Sequence, residues 1–222
     1  MCILFPATPP AKADSKNRGG MQNKMLAMQN NPNKFKIDLK NACCKDPLCC
    51  CVGALGTYPG CGLSACWARK SILEKKMNGI SDFICCQGYI PKCACLDPVK
   101  CFPGSPVGLC LEGCCCAVLS ISIARMHIME LESIQPDPVD YQIIQCSNFL
   151  QMLSCVCNII AMFVAELREV AACIDLIADL FTCSVAGCMI AQVNAQLKTG
   201  GAPPALEEIV GAPPVAIEEM ER

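Results

Sequence analysis

The amino-acid sequence predicts an all-α, membrane-associated hairpin or bundle of about three apolar helices, joined to an irregular segment rich in Cys, Gly and Pro. Three observations carry that expectation. Of the 222 residues, 53% are hydrophobic, and the mean hydropathy is +0.39. The run from Tyr141 to Ala165 holds 25 residues without a charge; as a helix it is ~37 Å long, more than the ~30 Å of a bilayer's hydrocarbon core. The 23 cysteines stand in clumps (Cys43-Cys44, Cys49 to Cys51, Cys85-Cys86, Cys114 to Cys116) within a chain that has ample apolar residues for a core. Small disulfide scaffolds use cysteine because they lack one.

Residues 1–40 form a basic head, and a flexible tail is expected there. Lys12, Lys16, Arg18, Lys24, Lys34, Lys36 and Lys40 face only Asp14 and Asp38. Pro6, Pro9 and Pro10 cut short the apolar Met1–Phe5 stretch, so no secretory h-region of roughly 7–15 residues is expected. Basic residues near anionic lipid gain ~1 kcal/mol each, which votes for a cytoplasmic N-terminus. Residues 41–107 are the cysteine-rich segment, broken by Gly60, Gly62, Pro91, Pro98, Pro103 and Pro106, with one polar helix expected from Leu63 to Met77.

Residues 108–198 read as the apolar helical domain. Its first span, Gly108 to Met129, carries Glu112, Arg125 and His127; its second is Tyr141 to Ala165; its third, Val170 to Leu197, carries Asp175 and Asp179. In the second span Ser147, Gln151, Ser154 and Asn158 recur at i, i+4, i+7 and i+11 and share one helix face. In the third, Arg168, Asp175, Asp179 and Thr182 do the same. Polar stripes inside lipid must face another helix, a partner or water. Interhelical hydrogen bonding is the first expectation, a polar conduit the second. Residues 199–222 form an acidic Pro/Ala-rich tail, in which Gly201-Ala-Pro-Pro is echoed by Gly211-Ala-Pro-Pro.

The cysteines have two chemistries open to them. Zinc sites usually pair ligands as Cys-x2-Cys, a spacing that does not occur here, but Cys-x4-Cys does at 44–49 and 61–66, and Cys-x-Cys at 93–95. The segments at 43–51 and 85–95 are loose echoes of each other, a hint of two similar hairpins facing each other; Cys85, Cys86, Cys93 and Cys95 are the candidate ligands for a soft metal, zinc first. Thiols beside a hydrophobic segment are also S-acylation candidates, here Cys49, Cys50, Cys51, Cys114, Cys115 and Cys116. Cys146, Cys155, Cys157, Cys173, Cys183 and Cys188 read as small apolar packing. An oxidised scaffold, pairing the 16 cysteines of 41–116, is the alternative.

No Gly-x-Ser-x-Gly, phosphate loop or His-Glu-x-x-His occurs, and the lone His127 lies in an apolar stretch, so no enzymatic activity is expected. A net charge of −2 gives no field for nucleic acid.

The stretches Cys85-Cys-Gln-Gly-Tyr-Ile-Pro-Lys-Cys-Ala-Cys95, Leu109-Cys-Leu-Glu-Gly-Cys-Cys-Cys116, Leu119-Ser-Ile-Ser-Ile-Ala-Arg-Met126 and Leu150-Gln-Met-Leu-Ser-Cys-Val-Cys157 carry a family resemblance. Over 83–163 the chain resembles uncharacterised cysteine-rich membrane proteins of plants and protists. More distantly it is similar to the PLAC8 family, the cell-number regulators and plant cadmium-resistance proteins. That family sets a Cys-Cys and a Cys-Pro-Cys-like core beside hydrophobic segments; Ala94 stands here in place of the proline. The resemblance implies a plasma-membrane or endomembrane protein in divalent-metal handling or growth control. It would assemble as a homo-oligomer, with Cys93 and Cys95 at the entrance of an ion path along Asp175 and Asp179. The other class is a structural subunit of a larger membrane assembly, its apolar helices packed on partner chains.

Overall fold

The computed structural model describes residues 28–58, 61–90 and 100–199. Cys93 and Cys95, the basic head as far as residue 27 and the tail repeats lie outside the described residues. Among these the chain is all-α: α1 (Leu39–Lys45), α2 (Pro47–Leu55), α3 (Leu63–Lys76), α4 (Pro106–Cys115), α5 (Ala117–Leu131), α6 (Pro138–Phe163) and α7 (Arg168–Thr199). An isolated bridge between Asn33 and Ile134 is the only β pairing among them.

The helix starts follow local chemistry. Asp46 and Asp137 cap α2 and α6, accepting from the backbone N–H of Cys49 at 3.2 Å and of Val139 at 2.7 Å. A proline with no N–H to satisfy follows each cap. Gly62 opens α3 at φ +75°, and a Cβ there would lie 1.9 Å from the Gly113 carbonyl oxygen. Glycine is required both for that backbone conformation and for the close approach of α4.

α5 is the central helix of a body. Ile121, Ala124, Ile128 and Met129 are buried against α3 on one side and the Val185–Leu197 half of α7 on another, while Ile123 and Met126 are buried against Cys86 and Tyr89. α2 lies antiparallel along that half of α7, and the contact depends on small residues. A Cβ on Gly187 would sit 2.3 Å from the Cys50 carbonyl oxygen. The body begins earlier than a mobile head of 40 residues would allow. Met28 and Phe35 are in the core, and Asn33 exchanges backbone hydrogen bonds with Ser133 and Gln135 at 3.2 and 2.7 Å.

The span expected from Gly108 to Met129 is not one straight helix. It breaks at Cys116, and α4 and α5 are bent by 117°. The corner returns Ser120 to Glu112, to which it donates at 2.8 Å, and Glu112 meets the guanidinium of Arg69. From Ser120 to Met129, α5 is buried within the protein. Two helical segments, Pro138–Phe163 and Ala165–Lys198, are each long and apolar enough to cross a membrane; α4 and α5 reach that length only jointly.

α6 and α7 form an antiparallel hairpin whose outer half is largely exposed. Between Phe149 and Leu180, twelve Phe, Leu, Ile and Val side chains are exposed, Phe163 at the tip by 83%. Glu166, Arg168 and Glu169 cluster at the turn.

Candidate functional site

The two polar stripes read from the sequence face each other along the hairpin. Ser147 and Thr182 share a hydrogen bond of 2.9 Å. The Gln151 amide donates to Asp179 at 2.9 Å and to Thr182 at 3.1 Å. Ser154 donates to Asp175, and Asn158 donates to the same carboxylate at 3.4 Å. Ser147, Gln151, Ser154 and Thr182 are buried in this seam. Asp175 is half-buried, while Asp179 and Asn158 open onto a groove of about 550 Å³ that Tyr58 and Met162 help to line. The hairpin is thus polar within and apolar without, the reverse of a helix pair folded in water.

Two ion pairs are buried, the first of them where the hairpin meets the body. Arg125 donates to Asp140 at 2.8 Å and to Gln192 at 2.9 Å, and its guanidinium lies 4.9 Å from the Phe35 ring centre. Asp140 also accepts from Gln192 at 2.7 Å and from the backbone N–H of Leu39 at 2.9 Å. One carboxylate therefore joins α1, α5, α6 and α7. Burial pushes the Arg125 pKa below its ordinary value, and Asp140 opposes that shift.

The second pair is Arg69 with Glu112 at 3.1 Å. Arg69, expected on a polar helix, is fully buried, its remaining donors reaching the Ile84 carbonyl at 3.1 Å and the Gln87 side chain at 3.0 Å. Nδ1 of the buried His127 lies 3.3 Å from the same guanidinium. The histidine belongs to this network.

The described cysteines form no disulfide. Two groups of side chains could hold a metal ion. One is Cys43, Cys50 and Cys188; the other is Cys85, Cys86 and Glu112. Of the expected ligands, Cys85 and Cys86 are brought together, their sulfurs 3.8 Å apart. Glu112, the third member of that group, is already engaged by Arg69, by Ser120 and by the Cys86 N–H at 2.7 Å. The Cys43 group was not legible as a set, since its members are up to 145 residues apart.

Among the acylation candidates, Cys51, Cys114, Cys115 and Cys116 are exposed and Cys49 is half-buried. Cys50 is buried with its sulfur against Cys188, which removes it from reach of an acyl donor. Burial pushes the Cys50 thiol up, as do its neighbours Cys43 and Cys188. Cys86 is raised by burial and then by Glu112, and Cys66 by burial and then by Cys110, to about 11. Against an ordinary value of 9.0, Cys66 holds about a hundredfold less thiolate at neutral pH. The greater nucleophilicity of a high-pKa thiolate recovers part of that, leaving reaction about tenfold slower. Timed iodoacetamide labelling read by peptide mass will show Cys66 lagging an added free cysteine peptide by about that factor at neutral pH. Equal rates would contradict the placement of Cys66.

No family model, curated protein or solved structure matches the chain.

Proposed function

We propose that this chain is a non-enzymatic integral membrane protein. In this reading the α6–α7 hairpin crosses the bilayer and holds the cysteine-rich helical body as a platform at the cytoplasmic face of a plasma membrane or endomembrane. The observation that carries the reading is the inverted hairpin, apolar outside and hydrogen-bonded inside.

Magnitudes make the seam decisive. On insertion scales a Leu, Ile, Phe or Val contributes roughly −0.3 to −0.6 kcal/mol and an Asp roughly +2.5 to +3.5 kcal/mol at a helix centre. Leaving out Val164, Leu167 and Val170 at the turn, nine exposed apolar side chains then supply about −3 to −5 kcal/mol, and two isolated aspartates about +5 to +7 kcal/mol. Separated helices would therefore not insert. Gln151, Ser154 and Asn158 satisfy Asp175 and Asp179 from α6, so the two helices enter as a pair.

A two-helix crossing returns the chain to the side it left, so the body and the basic head share one face, with the charged turn at Glu166–Glu169 on the other. The exposed Cys51 stands beside the exposed Leu48, Val52 and Leu55, and Cys114 beside Leu111. These are places where acyl chains would add ~0.8 kcal/mol per buried CH₂ to the anchor. The resemblance to PLAC8-like membrane proteins points to the same setting.

Alkaline carbonate extraction of cell membranes tests the reading. The chain is expected in the pellet, and purified chain alone is expected to float with liposomes of neutral lipid. Release by carbonate overturns the membrane hairpin. Retention in cells combined with failure to join liposomes would make the hairpin a contact with partner subunits instead.

A further inference from the structure

Three thiols from α1, α2 and α7 converge at the edge of the body, away from the exposed half of the hairpin. The Cys43 and Cys188 sulfurs are 3.2 Å apart, the Cys50 and Cys188 sulfurs 3.5 Å, and all three lie within 4.8 Å of one another. Cys50 is buried, Cys188 nearly so, and Cys43 is exposed. We propose that Cys43, Cys50 and Cys188 form a trithiolate site for a soft d¹⁰ cation of the Zn²⁺ or Cd²⁺ class, with its fourth position open to solvent beside Cys43.

The chemistry selects this group over the other. A tetrahedral ion with metal–sulfur bonds of ~2.3 Å sets its sulfurs ~3.8 Å apart, so opening the 3.2 and 3.5 Å pairs around Cys188 by roughly half an ångström admits the metal on that side. A disulfide requires a much closer ~2.05 Å and would leave one of three thiols unpaired. In the Cys85, Cys86 and Glu112 group, the carboxylate is spent on a guanidinium, a hydroxyl and a backbone N–H, and the guanidinium repels a cation. Sulfur ligands select soft ions, whereas carboxylates alone would not.

The surroundings give such an ion a task. α1 and α2 have 7 and 9 residues, too short to be stable as isolated helices. The small residues Gly53 and Gly187 already bring α2 against α7. An ion held by one thiolate from each of the three helices would staple the two short ones to the long one, so its binding energy becomes folding energy. Binding M²⁺ to three thiols forms three metal–sulfur bonds and releases three protons, leaving a site of net charge −1. Affinity must therefore fall as pH falls.

The test uses the full-length reduced chain in detergent, with Cd²⁺ as the probe. One equivalent is expected to slow iodoacetamide labelling of Cys43, Cys50 and Cys188 together, with thiolate-to-cadmium charge-transfer absorption and a rise in melting temperature. Cys43→Ser, which changes only the exposed member, should lose that equivalent. Its affinity is expected to fall by at least the roughly 10–100-fold seen on removing even an outer-shell partner. Replacing Cys114, Cys115 and Cys116 together by Ser should leave the equivalent in place. The proposal is overturned if the three thiols label equally fast with and without Cd²⁺, a measurement that needs no variant. It is also overturned if Cys43→Ser keeps the equivalent, or if peptide mapping of unreduced protein from cells finds a Cys43–Cys188 disulfide. None of these readouts requires the hairpin to lie in a membrane.

Discussion

Asp140→Ala will destabilise the body by about 3–5 kcal/mol, because it leaves the Arg125 guanidinium buried without its counter-charge. The variant also strands the backbone N–H of Leu39, and deprives the Gln192 amide of one of its two acceptors, keeping the Ile37 carbonyl at 3.0 Å. For a body of this size, 1 kcal/mol moves the melting temperature by about 2–4 °C, so the drop should be about 6–20 °C. Circular dichroism melts of the chain in detergent measure it. Replacing both partners, Asp140→Leu with Arg125→Met, removes the buried charge altogether and should recover most of the loss. A single Asp140→Ala variant melting within 2 °C of the parent would mean that the carboxylate does not join α1, α5, α6 and α7.

The contrast between that ion pair and the hairpin seam shows what could be read from the sequence. Ser147, Gln151, Ser154 and Asn158 announce themselves by spacing, as do Asp175, Asp179 and Thr182, because one helix face repeats locally every three or four residues. Their antiparallel pairing needed the structure only for its register. Arg69 gave no such signal. It sits in a lysine-rich helix, and its burial is set by Glu112, 43 residues away. The corner at Cys116 was equally hidden, since no proline marks it and the gain from turning lies in Glu112 reaching Arg69. The thiol group at Cys43, Cys50 and Cys188 follows the same logic, for its members meet only after α2 has packed on α7. Local periodicity was legible; long-range charge and sulfur pairing was not.

The largest effect should come from charging the outside of the hairpin. Val156 and Leu176 are exposed at 50% and 60% near the middle of the outer halves of α6 and α7. A lysine at the centre of a membrane helix costs roughly 2.5–3.5 kcal/mol, and the lost Val and Leu forfeit roughly 0.3–0.6 kcal/mol each. Val156→Lys with Leu176→Lys thus opposes insertion by about 6–8 kcal/mol, a factor of about 10⁴–10⁶ at 1.4 kcal/mol per decade. That exceeds the small surplus left after the aspartates are satisfied, so the variant is expected in the soluble fraction after fractionation. Both side chains are at least half exposed on the outer half of the hairpin, so the melting temperature of the body should hold. Gln142→Lys with Gln145→Lys supplies the control. It adds the same two charges to exposed polar positions at the base of α6, where a lysine can reach the headgroups, and should stay with the membrane. If both double variants pellet alike, lipid is not what covers Val156 and Leu176. A hairpin surrounded by partner protein would instead lose its fixed companions on purification only when Val156 and Leu176 are charged.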